Sequence, residues 1–316
     1  MTDPSHRPST VAGPDVSRPG PWAIQVAATT LWTEPDAVRD LDAPIVAARP
    51  DPRGWAAHLD TPARADLVGR VLSQLLLGEP VDVIAERGDW LQVVALWQPS
   101  ELHPRGYPGW VPRAHVGPAP VPSDRAAVVA VEAAPIRRCP GGEPLIDDVS
   151  YATVLPALED TPAGVRVGLP GGRDGWLDPT SCVVYPVTPR RQVDGHAVLA
   201  AARRFVGLEY LWGGLSAFGL DCSGLVHLSF RALGRIVPRD AHDQAEAATR
   251  IGLEDVRPGD AYFFAHPGKK IHHVGLATGD GLRLLHAPQN GRRVSEEEIV
   301  DERLETLLDQ AGVLAD

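Results

Sequence analysis

The stretch GLDCSGLVHLSF, residues 219–230, sets an aspartate and then a cysteine where a loop becomes an apolar helix. Asp221 is a good N-cap and Gly234 an end signal, so a helix is predicted between them. Cys222 falls in its first turn. Unpaired backbone N–H groups and the positive dipole end stabilise a thiolate there, so the thiol is expected to titrate below its ordinary range. Leu225, Val226, Leu228, Phe230, Ala232 and Leu233 cover most of the circumference and leave only Ser223, His227 and Arg231 as a polar stripe. A helix buried on most sides is a rigid mount for a nucleophile. A lone cysteine on such a helix is usually a small core residue, which is the reading given to Cys139 and Cys182. Cys222 needs a base to escape it.

That base is supplied by HHVGLATGDGLRLLHAP, residues 272–288. Two apolar runs flank Gly279-Asp280, a favoured two-residue hairpin loop. Counting outward from that loop pairs His273 with His286. Directly opposed residues share a face of the hairpin, so two imidazoles meet side by side. One can take a proton from a thiol and the other can orient it. His272 must point to the opposite face.

The bulk properties narrow the function. The chain has 316 residues, enough for two or three domains. Its net charge of −11 argues against a nucleic-acid or anionic-membrane partner, both of which need a basic face. Three widely spaced cysteines give no metal-binding signature and fit a reducing compartment. The opening MTDPSHRPSTVAGPDVSRPGP lacks the apolar core of a signal peptide, and no run is long enough to span a membrane. A cytoplasmic protein without metal or cofactor is expected.

The first twenty residues read as a disordered tail. After Trp22 short strands follow, with VDVIAERGDWLQVVALW (81–97) reading as strand, turn, strand. GWVPRAHV and GWLDPTSCV share a Gly-Trp opening and a closing valine, with Trp110 and Trp176 lying 66 residues apart, a plausible repeat for a small barrel. TPARADLVGRVLSQLLLG (61–78) is predicted to be a helix inserted in the first copy, capped by Thr61 and ended by Gly78. Leu67, Val68, Val71, Leu72, Leu75 and Leu76 would form its buried face. VYPVTPRRQVDG (184–195) reads as a linker.

Two resemblances organise these observations. The Gly-Trp phrases resemble the closing strands of bacterial SH3-like domains. YLWGG (210–214), DCSGLV (221–226), RPGDAYFF (257–264), HVGLA (273–277) and LLHAP (284–288) resemble, in order and spacing, the NlpC-type papain-like cysteine peptidases. The implied architecture is multidomain: two small all-β SH3-like barrels, the first with a helical insert, followed by an α+β papain-like catalytic domain. The expected boundaries are a tail over 1–20, barrels over 21–118 and 119–187, and the peptidase domain over 188–316.

The resemblance implies a triad of Cys222, His273 and His286, an oxyanion contact from Tyr210 beside the Cys222 N–H, and a substrate contact from Ser223. Tyr210 could instead be a packed loop aromatic. The layout is similar to cytoplasmic recycling enzymes that cut the γ-D-glutamyl bond to a diamino acid in short murein peptides and require a free L-Ala amine. On that likeness Asp240, Tyr107 and Glu79 would hold the ammonium, although Glu79 reads equally well as solvated surface. Ala241 stands where some relatives carry a serine. An exported wall hydrolase anchored by its SH3-like domains, a zinc site using the same three residues, and acyl transfer to an amine remain open at this level.

Overall fold

The computed structural model describes residues 20–188 and 193–314. The expected tail over 1–20 lies almost wholly outside the described residues, as does the middle of the expected linker. The first unit is a seven-stranded antiparallel sheet of β1 (Trp22–Ile24), β2 (Ala28–Trp32), β3 (Val71–Leu76), β4 (Pro80–Arg87), β5 (Trp90–Ala95), β6 (Tyr107–Pro112) and β7 (Val116–Pro118). The second comprises β8 (Arg125–Val129), β9 (Ala133–Arg137), β10 (Pro144–Ser150), β11 (Val154–Thr161), β12 (Gly164–Leu169), β13 (Arg173–Leu177) and β14 (Cys182–Pro186).

The strand orders are β3-β2-β6-β5-β4-β1-β7 and β10-β9-β13-β12-β11-β8-β14. Adding seven to each label of the first gives the second, so the two units share one topology. The repeated tryptophans keep their register within it. Trp110 of β6 pairs with Trp32, the last residue of β2, and Trp176 of β13 pairs with Arg137, the last residue of β9. The chain from Val184 to Pro186, read as the start of a linker, is instead the last strand of the second unit.

The helical insert lies between β2 and β3 in three short pieces: α1 (Ala43–Val46), α2 (Pro52–His58) and α3 (Thr61–Ala65). The long helix expected over 61–78 does not form. Asp60, rather than Thr61, caps α3 by accepting from the Ala63 N–H at 2.8 Å. Gly69 then takes a left-handed φ of +81°, and the chain leaves as strand β3. The apolar run is continuous because this strand is buried from several directions. Leu75 belongs to the first barrel's core, Leu76 to that of the third unit, and Leu77 just beyond to that of the second. Periodicity cannot distinguish such a strand from a buried helix. Val68 lies outside the strand and is exposed.

The third unit carries α4 (Gly195–Arg203), the hairpin β15 (Leu215–Ser216) and β16 (Gly219–Leu220), α5 (Cys222–Arg231) and α6 (Ala241–Ala247). Beyond them come β17 (Thr249–Gly252), β18 (Ala261–Phe264), β19 (His273–Ala277), β20 (Arg283–His286), β21 (Ser295–Glu298), α7 (Asp301–Thr306) and β22 (Gln310–Val313). Its six-stranded sheet runs β17-β22-β18-β19-β20-β21. Leu225, Val226, Leu228 and Phe230 of α5 share one core with Val274 and Leu276 of β19 and Leu285 of β20. That packing lays the helix against the strands bearing both histidines.

The units are stitched together by polar contacts. Arg64 of α3 donates to the Tyr210 carbonyl at 2.9 Å, and Trp212 donates its indole N–H to the Val71 carbonyl at 2.9 Å. Gln74 Oε1 accepts from the Leu215 N–H at 3.0 Å, and Ser150 Oγ from the Ala217 N–H at 2.9 Å. The loop leading to Cys222 is therefore pinned by both barrels. Among the described residues no helix is long and apolar enough to cross a membrane.

Candidate active site

Asp221 caps α5 by accepting from the Gly224 N–H at 2.6 Å, which makes Cys222 the first helical residue. All ten residues of α5 are buried, the polar stripe included. The stripe is occupied from inside: Ser223 by Arg239, His227 by the Val237 carbonyl, and Arg231 by Glu79.

The expected lowering of the Cys222 pKa is overturned. Burial, followed by the adjacent Asp221 carboxylate, pushes the thiol up to about 12. The Val274 and Ser223 N–H groups aimed at the sulfur, and the Arg239 cation, work the other way without winning. A first-turn position lowers a thiol pKa when the sulfur is partly in water; here desolvation of the charged form exceeds the dipole's help.

His273 and His286 meet, though not as a directly opposed pair. The observed register joins Leu276 to Leu285 and Ala277 to Leu284. The hairpin loop is therefore four residues, closed by the Thr278 N–H on the Arg283 carbonyl at 3.1 Å. Both glycines of Gly-Asp-Gly enter the loop with φ of +83° and +61°. The shift is two residues, so side-chain parity survives. His286 lies across from Gly275, diagonal to His273. Any Cβ at Gly275 would come 3.0 Å from the His286 Cβ and 2.6 Å from Leu284, so the glycine makes room for the approach. His273 Nε2 and His286 Nδ1 are 2.7 Å apart. His272 points away and stacks on His266 at 4.9 Å.

The neighbours fix the tautomers. Arg303 donates to His286 Nδ1 at 3.3 Å, and a guanidinium cannot accept. Nδ1 of His286 must therefore be the acceptor, so its proton sits on Nε2, facing Glu297 at 3.6 Å. His273 in turn carries its proton on Nε2 and leaves Nδ1 as a bare lone pair, with the Cys222 sulfur against the next residue's N–H. Burial, then the His286 and Arg303 charges, holds the His273 pKa well below its usual value, and burial and Arg303 bring His286 down to about 3. Burial therefore favours the uncharged form of the thiol and of both imidazoles. Arg303 and Glu297 were missed from the sequence because neither sits in a motif.

The remaining candidates divide. Tyr210 is buried, and its phenol is pushed up by burial and then by Cys222, so its hydroxyl lies within electrostatic reach of the sulfur. Tyr107 donates its hydroxyl to Asp240 Oδ2 at 2.8 Å, across the seam between the first barrel and the third unit. Burial raises Asp240, opposed by Arg239 and the Tyr107 bond.

Two residues are not where the sequence reading put them. Glu79 is neither a subsite ligand nor solvated surface. It is fully buried and accepts from Arg231 at 2.6 Å, Gln98 at 2.7 Å and the Leu76 N–H at 3.2 Å. Ser223 turns its hydroxyl inward to Arg239 at 3.0 Å and Asp221 at 3.3 Å, leaving its backbone N–H for the sulfur. Among the described residues no group of three or more His, Cys, Asp or Glu side chains could hold a metal ion.

A thiol on a rigid helix, packed against the strand that carries a base whose tautomer is set from behind, is the equipment of a cysteine peptidase. Residues 207–311 match the NlpC/P60 family, and residues 134–185 match the YKFC SH3b2 domain. Over 273 residues the chain is 34% identical to the gamma-D-glutamyl-L-lysine dipeptidyl-peptidase of Bacillus subtilis, covering 85% of this chain and 90% of that one. A Bacillus cereus enzyme of the same name is 32% identical over 86% of this chain and 84% of its own. The crystal structure of a Bacillus cereus NlpC/P60 family protein superposes with a TM-score of 0.86 at 29% identity, covering 93% of this chain and all of that one. The chain belongs to the NlpC/P60 family of cysteine peptidases.

Proposed function

We propose that this protein hydrolyses the γ-D-Glu–diamino acid bond of short murein peptides that carry a free N-terminal L-Ala, releasing L-Ala-γ-D-Glu within a cytoplasmic recycling route. The observation that carries the reading is the Tyr107–Asp240 bond at 2.8 Å. It sets an acidic group at the seam between the first barrel and the peptidase unit, within electrostatic reach of the residue before Cys222. A buried carboxylate that accepts a phenol and retains lone pairs suits an ammonium. The Bacillus dipeptidyl-peptidases, similar over nearly their whole length, supply the bond class.

In the mechanism, His273 Nδ1 takes the Cys222 proton as the sulfur attacks the amide carbonyl. The Cys222 N–H, which has no acceptor within the helix, and the Tyr210 hydroxyl receive the oxyanion. His273 gives the proton to the leaving amine, and His286 accepts from Nε2 of the imidazolium throughout. Water, deprotonated by His273, then clears the thioester.

The test is cleavage of L-Ala-γ-D-Glu-L-Lys with a free or an acetylated amine, with products identified by mass. The proposal expects L-Ala-γ-D-Glu from the free peptide and slower cleavage of the acetylated one by about ten- to a hundredfold, the worth of one charge-assisted hydrogen bond. Equal rates on the two peptides would remove the ammonium subsite, and cleavage at another bond would remove the substrate assignment.

A further inference from the structure

Six buried side chains close a ring through two domains. Arg239 donates Nη2 to Asp221 Oδ2 and Nε to Ser73 Oγ, each at 2.7 Å. Ser73 Oγ donates to Gln98 Oε1 at 2.6 Å, and Gln98 Nε2 to Glu79 Oε1 at 2.7 Å. Arg231 Nη1 reaches Glu79 Oε2 at 2.6 Å. Asp221 caps α5 and Arg231 is its last residue, so the helix itself completes the circuit. Ser73, Gln98, Glu79, Arg231 and Arg239 are fully buried.

We propose that Ser73, Gln98 and Glu79 of the first barrel are positioning residues for the nucleophile, holding both ends of the helix that begins at Cys222. This rests on Cys222 being the nucleophile. The ring attaches beside the reacting atoms. The same guanidinium that Ser73 orients also donates to Asp221 Oδ1 and to Ser223 Oγ, each at 3.0 Å, so it grips both chain neighbours of Cys222. It also precedes Asp240 in the chain, so its placement sets the seam as well. At the far end, Arg231 Nε and Nη2 have no hydrogen-bond partner among the described residues, which leaves Glu79 as the hydrogen-bonding anchor of that guanidinium. A barrel built only as a tether has no need to thread fully buried polar groups between the ends of a catalytic helix, where each unsatisfied member is costly.

The experiment compares Ser73→Ala and Glu79→Gln with Val93→Ala, a first-barrel core substitution outside the ring. Three quantities are read: kcat and KM for the free-amine peptide, the thermal midpoint, and the pH dependence of Cys222 alkylation by iodoacetamide, followed by peptide mass. Ser73→Ala releases Arg239 Nε. It is expected to lower kcat by about tenfold or more with KM within about threefold, and to move the alkylation profile to higher pH as the cation loosens from Asp221. Glu79→Gln keeps one amide oxygen for Arg231 Nη1 but sets its NH2 against the donors of Gln98 or Leu76. Midpoint and kcat should therefore both fall, kcat by less than in Ser73→Ala. For every variant kcat is read below its own midpoint, so that lost folding is not counted as lost rate. Val93→Ala should lower the midpoint and leave kcat and the profile alone. The proposal is overturned if both ring variants keep wild-type kcat and alkylation, or if Val93→Ala loses kcat equally. Alkylation does not use the peptide, so failure of the substrate assignment is separable; the nucleophile assignment is tested on its own by Cys222→Ala.

Discussion

Replacing Glu79 with leucine should be among the most destabilising single changes available in the first barrel. The carboxylate is fully buried and receives three hydrogen bonds, from Arg231, Gln98 and the Leu76 N–H. Gln98 keeps a second acceptor, the Gln74 carbonyl at 2.8 Å, and loses little. Among the described residues Arg231 then keeps only the face of Trp97, 5.1 Å from its guanidinium, because Nε and Nη2 already have no partner there. A buried charge stripped of its partner costs about 3–5 kcal/mol. For a cooperative unit of this size that is a fall in Tm on the order of 10 °C. Adding Arg231→Met removes the orphaned charge, and the double variant should recover at least half of the loss. Urea unfolding of wild type, both single variants and the double gives the cycle. A Glu79→Leu protein within about 1 kcal/mol of wild type, or a double variant less stable than the single, would refute the reasoning.

The other expectations follow from the imidazoles. His273→Ala should lose about three or more orders of magnitude in kcat, while His286→Asn should retain more activity than His286→Ala, because an amide oxygen can still accept from His273 Nε2. Arg303→Met should lower kcat and leave KM alone, since it frees His286 Nδ1 to take the wrong proton. Stability should be greatest between about pH 6.5 and 8.5 and fall as the pH drops below that window. His115 (about 4), His227 (about 3), His286 (about 3) and His273 all have lowered values, so the unfolded chain takes up protons that the native state refuses. His272 is lowered as well, and Asp243, raised to about 6, and Asp240 act oppositely but are two groups against five. Urea midpoints between pH 7.5 and 5 check the sign; stability that rises on acidification contradicts it.

What could be read from the sequence was set locally or by parity. Asp221 and Gly234 mark the ends of the catalytic helix, and the Gly-Trp phrases mark equivalent strands of two barrels. His273 and His286 were brought together by strand alternation, even though the loop is two residues longer than the count assumed. What escaped depends on another domain. The run 71–77 looks helical because several cores surround it. Glu79 looks like a subsite acid because its partner, Arg231, lies 152 residues away. The direction of the Cys222 shift was lost for the same reason: a helix start is visible in sequence, but the depth at which it is buried is not.

The central claim is that Cys222 forms a covalent acyl intermediate served by His273. It is tested most directly by acid-quenching the enzyme during turnover of L-Ala-γ-D-Glu-L-Lys and mapping the adduct by mass. The account predicts an L-Ala-γ-D-glutamyl thioester on the peptide containing Cys222, lost on longer incubation and absent from Cys222→Ala, which should not turn over. An adduct on Cys139 or Cys182, or peptide cleavage by Cys222→Ala at the wild-type rate, would contradict it.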